Sequence, residues 1–254
     1  HFHVVFTLPH KFNEVWLANR TWCANALFKA AAETLQQLLS DGRYLGATPG
    51  MLASLHTWGR TLSFHPHVHV LVTGGGFNQG RWVAAQKDFL LPVGMIKAKF
   101  RGKYLAWLRQ AYAEGQIRLP KHWQERDWYK LLHKMSGKAW NTCIKGAYRH
   151  GQGVTQYLAR YVHGGPIKNH RLTYADDGKV GFRYHDYHDG KSKTMVLKAH
   201  DFLTRILWHV PTPGQHNLRY YGIYLPSATK KRDTIREILG KPVGETMPSK
   251  ENTQ

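Results

Sequence analysis

Two short stretches of the chain carry side chains whose types and spacing suit metal binding and nucleophilic attack. The first is Phe64-His65-Pro66-His67-Val68-His69-Val70-Leu71-Val72. Side chains alternate along an extended strand, so His65, His67 and His69 share one face while Val68, Val70 and Val72 take the other. Residues two apart lie about 6.6 Å from one another along a strand, so His67 and His69 can converge on one metal ion. At the same rise His65 and His69 lie about 13 Å apart, and a third ligand has to come from another element. His56, on the preceding strand-like segment, can lie opposite the pair if the two segments form a hairpin in a suitable register. The competing reading is that these histidines are structural or partly solvated. Pro66 fits such a strand only at an edge or a bulge, and bulges are common beside active sites.

The second stretch is Gln156-Tyr157-Leu158-Ala159-Arg160-Tyr161. In a helix, Tyr157 and Tyr161 at i and i+4 stand on neighbouring turns about 6 Å apart, so two phenols can serve one site. At 100° per residue, Val154, Leu158 and Val162 define the apolar stripe, with Tyr161 near its edge and Tyr157 further round toward solvent. A bare Tyr-x-x-x-Tyr can also simply widen a buried stripe. A phenol titrates near 10, so attack on phosphate requires a polarised target and positive charge nearby. Arg160 and Lys168 are cations of the right kind close in sequence.

These groups need a scaffold, and the chain supplies signals for one α+β domain built on an antiparallel sheet with flanking helices. Residues 2–8 read as a buried strand and 13–39 as one or two helices. Residues 52–58 and 62–72 read as a hairpin through Gly59-Arg60, closed by Gly74-Gly75-Gly76. A short strand near Trp82 or Phe89 follows, then helices over 95–112 and 122–135. Residues 140–146 suit a strand, 154–163 the tyrosine helix, and Gly164-Gly165-Pro166 its stop. Strands over 171–175, 180–187 and 193–198 lead to a helix over 201–209. The polar end after Ser227 reads as a helix and a disordered tail, which divides the chain into a domain over 1–226 and a tail over 227–254.

The 36 Lys and Arg against 16 Asp and Glu leave a net charge of +20 in 254 residues. Nucleic acid is the partner that best fits this excess, because each cation placed on a phosphate releases condensed counterions. Aromatics interleaved with basic residues, as in Phe182-Arg183-Tyr184-His185, suit stacking on unpaired bases, which makes Arg183 a candidate DNA contact. The basic segments 180–187 and 95–112 could both track a nucleic-acid backbone. Cys23 and Cys143 match no zinc spacing and no disulfide framework, so a cytoplasmic setting is expected. No apolar run is long enough for a membrane span.

The ordered set His56-Thr57-Trp58-Gly59, His67-Val68-His69 and Tyr157-Leu158-Ala159-Arg160-Tyr161 resembles the two-tyrosine HUH transposases of rolling-circle insertion sequences. Val4-Val5-Phe6-Thr7-Leu8-Pro9, Gly164-Gly165-Pro166-Ile167 and Arg219-Tyr220-Tyr221-Gly222 extend the resemblance over about residues 1–225. It implies an HUH endonuclease-like fold with a palm or ferredoxin-like core. It implies that His67 and His69 bind a divalent cation, Mg²⁺ or Mn²⁺, and that Tyr157 and Tyr161 attack DNA phosphates to leave 5′-phosphotyrosine and a free 3′-OH. Imidazole ligands alone would favour zinc or copper. His56 as third ligand follows from the hairpin reading, and Arg160, Lys168 and Arg183 are the expected DNA contacts. The implied substrates are single-stranded transposon ends and target, met at the bacterial nucleoid. Members of this group carry a cysteine-rich zinc-binding segment before the catalytic domain. The chain opens on His1 rather than Met and no such segment is visible in it, so one is expected upstream. A rolling-circle replication initiator or relaxase would use the same chemistry, a metallohydrolase would use water in place of tyrosine, and a non-catalytic nucleic-acid-binding protein would use none.

Overall fold

The computed structural model describes residues 1–86, 89–146, 148, 151–162 and 164–240. In chain order the elements are β1 (Phe2–Thr7), α1 (Asn13–Ala18), α2 (Arg20–Leu39), β2 (Thr48–Trp58), β3 (Phe64–Asn78), β4 (Arg81–Ala84), α3 (Val93–Ala113), α4 (Glu125–Ser136), β5 (Thr142–Lys145), α5 (Gly151–Tyr157), β6 (Leu172–Asp176), β7 (Lys179–His185), β8 (Ser192–Lys198), α6 (Ala199–Trp208), β9 (Leu218–Gly222) and α7 (Thr229–Ile238). The fold is α+β, as the alternation of apolar periods requires. Its main sheet runs β5-β1-β3-β2-β9 with β4 on the far end of β3, and every pairing is antiparallel. A second antiparallel sheet, β6-β7-β8, follows the tyrosine segment.

The period of two along the central strands sorts the sheet into two unlike faces. Phe2, Val4 and Phe6 of β1, Met51, Ala53 and Leu55 of β2, and Val68, Val70 and Val72 of β3 enter one large core with α2 and α3. Alanines 24, 26, 30, 31 and 32 are buried along α2, and small side chains of this kind let a helix axis approach a sheet closely. Burying a Val or Leu here stabilises the fold by roughly 1.5–3 kcal/mol each. The other face carries His3, Leu52, Ser54, His56, His67, His69 and Leu71, and its apolar part is a small cluster of Leu52, Leu71 and Tyr157. Residues 95–112 lie within α3, whose Ile96, Phe100, Tyr104, Leu105 and Leu108 pack into the large core. The basic helix expected to follow a nucleic-acid backbone is therefore on the opposite side of the sheet from the histidines.

Local chemistry explains the departures from the sequence reading. The helical stretch 13–39 splits at Asn19, which leaves helical geometry at φ −140° and ψ 45°. Its side chain exchanges hydrogen bonds with the Arg118 backbone, at 2.7 and 2.9 Å. The glycine run does not close β3, which continues to Asn78. A side chain on Gly75 would meet the Trp82 ring and the Val83 carbonyl, and one on Gly76 the Thr48 carbonyl, so these glycines permit close approach inside a strand. Residues 218–222, too short to show a period, form the edge strand β9 against β2. The polar tail expected beyond α7 falls on residues 241–254, outside the described residues. No helix among the described residues is long and apolar enough to cross a membrane.

Candidate active site

The hairpin of β2 and β3 sets His56 directly opposite His67, with Ser54 opposite His69. Between His56/His67 and Trp58/Phe64 the register shifts by one residue on β3, which puts Pro66 at a bulge, where its missing donor costs nothing. One ring nitrogen from each of His56, His67 and His69 lies within 4.8 Å of the other two. Each ring has one nitrogen engaged by another group. His67 Nδ1 donates to the His65 carbonyl at 2.7 Å, and His56 Nε2 donates to the Tyr161 carbonyl at 2.8 Å. The His69 Nδ1 sits 2.9 Å from Nε2 of His3. This leaves Nδ1 of His56, Nε2 of His67 and Nε2 of His69 as the donor set, which fits a divalent cation with open coordination positions. Burial pushes all three imidazoles below their ordinary value, His67 to about 3 despite its hydrogen bond to His65. They are neutral at physiological pH, the form that ligates metal.

Both tyrosines face this side of the sheet, but not alike. The helical segment changes from α to π after Tyr157, with Leu158–Val162 forming the wider turn. The Tyr161 carbonyl accepts from both His56 Nε2 and Ser54 Oγ, at 2.8 and 2.5 Å, which clamps the π turn to β2. The half-buried Tyr161 ring stands 4.0 Å from the His69 ring and lines the cleft over the histidines. Tyr157, expected toward solvent, is fully buried. Its hydroxyl donates to the His69 and Leu52 carbonyls at 2.9 and 3.3 Å, and burial raises its pKa well above that of a free phenol. The expectation failed because a helical wheel centred on Val154 and Leu158 cannot register the Leu52/Leu71 patch into which this ring packs. His163, the expected end of the helix, lies outside the described residues.

The cleft has a volume of about 710 Å³ and is rimmed by Arg60, Lys145, Arg160, Lys168 and Arg171. Arg160 and Lys168, two of the expected DNA contacts, both line this cleft. Arg183 opens instead onto a neighbouring hollow of about 480 Å³ that shares Arg60 and Arg171 with the cleft. Arg171 ties the regions together, donating to the carbonyls of Arg60, Arg183 and Pro166 at 2.6, 2.8 and 3.4 Å.

Residues 50–232 match the model of a family described as "Putative transposase", the two-tyrosine (Y2) transposases. The chain belongs to that family. It is 36% identical, over a gapped alignment of 263 positions that covers 99% of its length, to "Putative transposase y4qJ" of Sinorhizobium fredii (strain NBRC 101917 / NGR234). It is 31% identical over 230 residues, 87% of its length, to "Transposase for insertion sequence element IS801" of Pseudomonas savastanoi pv. phaseolicola. The chain spans 66% and 53% of the lengths of these two relatives. No solved structure matches it.

The matched stretch holds the three histidines and both tyrosines of this Y2 family member and leaves out β1. Sequence reasoning passed over Ser54, His3 and Lys145, as well as Arg60 and Arg171 on the rim. Ser54 carries the same parity signal as His56 on β2. His3 shares the histidine face with Thr7 through the period of β1, which was legible once β1 was known to pair with β3. Lys145, opposite His3 on β5, had no local signal at all.

Proposed function

We propose that this chain carries the DNA-nicking and strand-joining centre of an insertion-sequence transposase, with His56, His67 and His69 holding Mg²⁺ or Mn²⁺ and Tyr161 and Tyr157 as its nucleophiles. The observation that carries the reading is a single meeting: the three imidazole nitrogens and the Tyr161 ring face one basic cleft. When bound, a cation there would draw charge from a non-bridging phosphate oxygen. Of the two hard candidates, the all-nitrogen donor set favours Mn²⁺. Arg160 and Lys168 attract the backbone of a single strand and offset the negative charge gathered at the scissile phosphate. The Tyr161 oxygen bonds to phosphorus as the bond to the 3′ oxygen breaks, leaving a 5′-phosphotyrosine and a 3′-OH. Attack by another 3′-OH on that link rejoins DNA with no nucleotide cofactor, since the bond energy is kept.

Tyr161 is the first nucleophile in this reading, because its ring already lines the cleft. Tyr157 acts second, after its two carbonyl hydrogen bonds are released. The π turn is the hinge for that release in this reading, since π segments recur where helices serve function. The names of the two transposase relatives favour transposition over plasmid replication for the same chemistry.

The test is to mix the protein with a labelled single-stranded end and Mn²⁺, boil in detergent, and separate. A covalent protein-DNA band is expected, absent for Tyr161→Phe and for the double tyrosine variant. Tyr157→Phe should keep the first adduct and lose strand transfer. An adduct surviving in the double variant removes the tyrosines from the chemistry, and cleavage with no adduct reassigns the histidines to water activation.

A further inference from the structure

His56 and His67 each have one ring nitrogen fixed by a backbone carbonyl, which dictates their tautomers because a carbonyl can only accept. Among the described residues, no carbonyl holds a ring nitrogen of His69 in this way. Its Nδ1 faces Nε2 of His3 at 2.9 Å, and either nitrogen could donate. His3 is fully buried on β1, one strand over from His69 and on the same face. Its ring lies 5.0 Å from that of His69 and 4.8 Å from that of Tyr161, yet its own nitrogens are outside the donor cluster.

We propose that His3 is the positioning residue of His69: it accepts the Nδ1–H of His69 on its own Nε2, and so holds His69 with Nε2 unprotonated and aimed at the cation. The inference rests on the metal reading above and adds to it. The hydrogen-bond directions close consistently. If His69 donates, neutral His3 carries its proton on Nδ1, and that nitrogen faces the Tyr148 hydroxyl at 3.5 Å. The donor chain therefore runs from His69 through His3 to the Tyr148 hydroxyl, and each of the two imidazoles has an acceptor for its proton. In the opposite direction the proton of His69 would occupy Nε2, the nitrogen needed for ligation. Hydrogen-bond partners behind a metal-bound imidazole set its orientation and basicity, and their loss typically lowers metal affinity about 10–100-fold. The placement also explains a buried histidine that has neither carboxylate nor backbone carbonyl as partner among the described residues.

Mn²⁺ binding to the DNA-free protein, followed by the electron paramagnetic resonance signal of the free ion, tests this without recourse to turnover. His3→Phe keeps a ring and removes the acceptor; it should weaken Mn²⁺ binding by roughly 10–100-fold. His3→Gln, whose Oε1 can accept from Nδ1–H, should restore most of that loss. His67→Ala serves as the reference for a lost ligand. If the wild type binds no Mn²⁺, or His67→Ala binds it unchanged, the metal reading and this inference fall together. If His67→Ala loses binding while His3→Phe matches the wild type, only the role of His3 falls. Long-range ¹⁵N spectra of the Mg²⁺-loaded wild type give an answer that needs no variant to fold. They should show His69 protonated at Nδ1, and protonation at Nε2 would overturn the assignment.

Discussion

At the scale of single residues, burial separates groups that the sequence presents as equivalent. Tyr157 and Tyr161 are both phenols on one segment, yet only Tyr157 spends its hydroxyl on two buried carbonyls. Removing it leaves those acceptors short of a donor, so Tyr157→Phe should lower unfolding stability by about 1 kcal/mol. Tyr161→Phe should change stability by less than half of that, and urea unfolding of the two variants side by side checks the order. The two cysteines divide in the same way. Cys23 is 1% exposed, and burial pushes its thiol up to about 12, whereas Cys143 is exposed on β5. A thiol reagent at neutral pH should label one site rapidly and the second only on unfolding; two fast sites would contradict the packing of α2. The histidine pair His67 and His69 was readable because alternation is local geometry. The third member, His56, was readable only as a candidate from the hairpin, since its place depended on which β2 residue the register would set opposite.

At the scale of elements, the site is held by features that break ideal geometry. The bulge at Pro66 turns the start of β3, and the π turn after Tyr157 frees the Tyr161 carbonyl to accept from His56 and Ser54. A side chain on Gly164 would strike the Arg160 carbonyl at the end of that turn. Gly164→Ala should therefore displace the tyrosine segment and reduce adduct formation at least tenfold, while the melting temperature moves by only a few degrees, because few core contacts are involved. Unchanged adduct yield would show that this turn does not position Tyr161. Gly222, at φ 61°, sits so close to the Pro49 carbonyl that a side chain cannot fit. Long amphipathic helices and the alternating strands were legible from period alone. The strand β9 and the interior glycines of β3 were not, because a five-residue edge strand has too few positions to show a period and a glycine marks both turns and close contacts.

At the scale of the whole molecule, charge and protonation set the conditions under which the protein works. With a net charge of +20 and Arg160 and Lys168 on the cleft, affinity for single-stranded DNA should fall steeply with salt. Replacing either residue by Ala should lower the slope of log affinity against log salt by roughly 0.7, and an unchanged slope would remove that residue from the phosphate path. The buried histidines make stability depend on pH with a definite sign. Burial holds His3 and His67 at about 3 in the folded protein, against roughly 6.5 for an unfolded chain. Between those values the unfolded state binds more protons, so the metal-free protein should lose stability as pH falls from about 6.5 toward 3 and be insensitive to these groups above that window. Thermal unfolding followed by circular dichroism at stepped pH checks the direction, and His67→Gln should flatten the dependence.

What the amino-acid sequence determined unaided was everything that follows from spacing along one element: the shared face of His67 and His69, the neighbouring turns of Tyr157 and Tyr161, the basic excess and the α+β class. Strand and helix periods are consequences of covalent geometry, so they survive without knowledge of neighbours. Tertiary structure alone decided that His56 completes the cluster, that His3 stands behind His69, and that Tyr161 faces the cleft while Tyr157 packs into the sheet. Those outcomes depend on register and on which apolar patch each segment buries, and burial is a cooperative property of residues far apart in the chain.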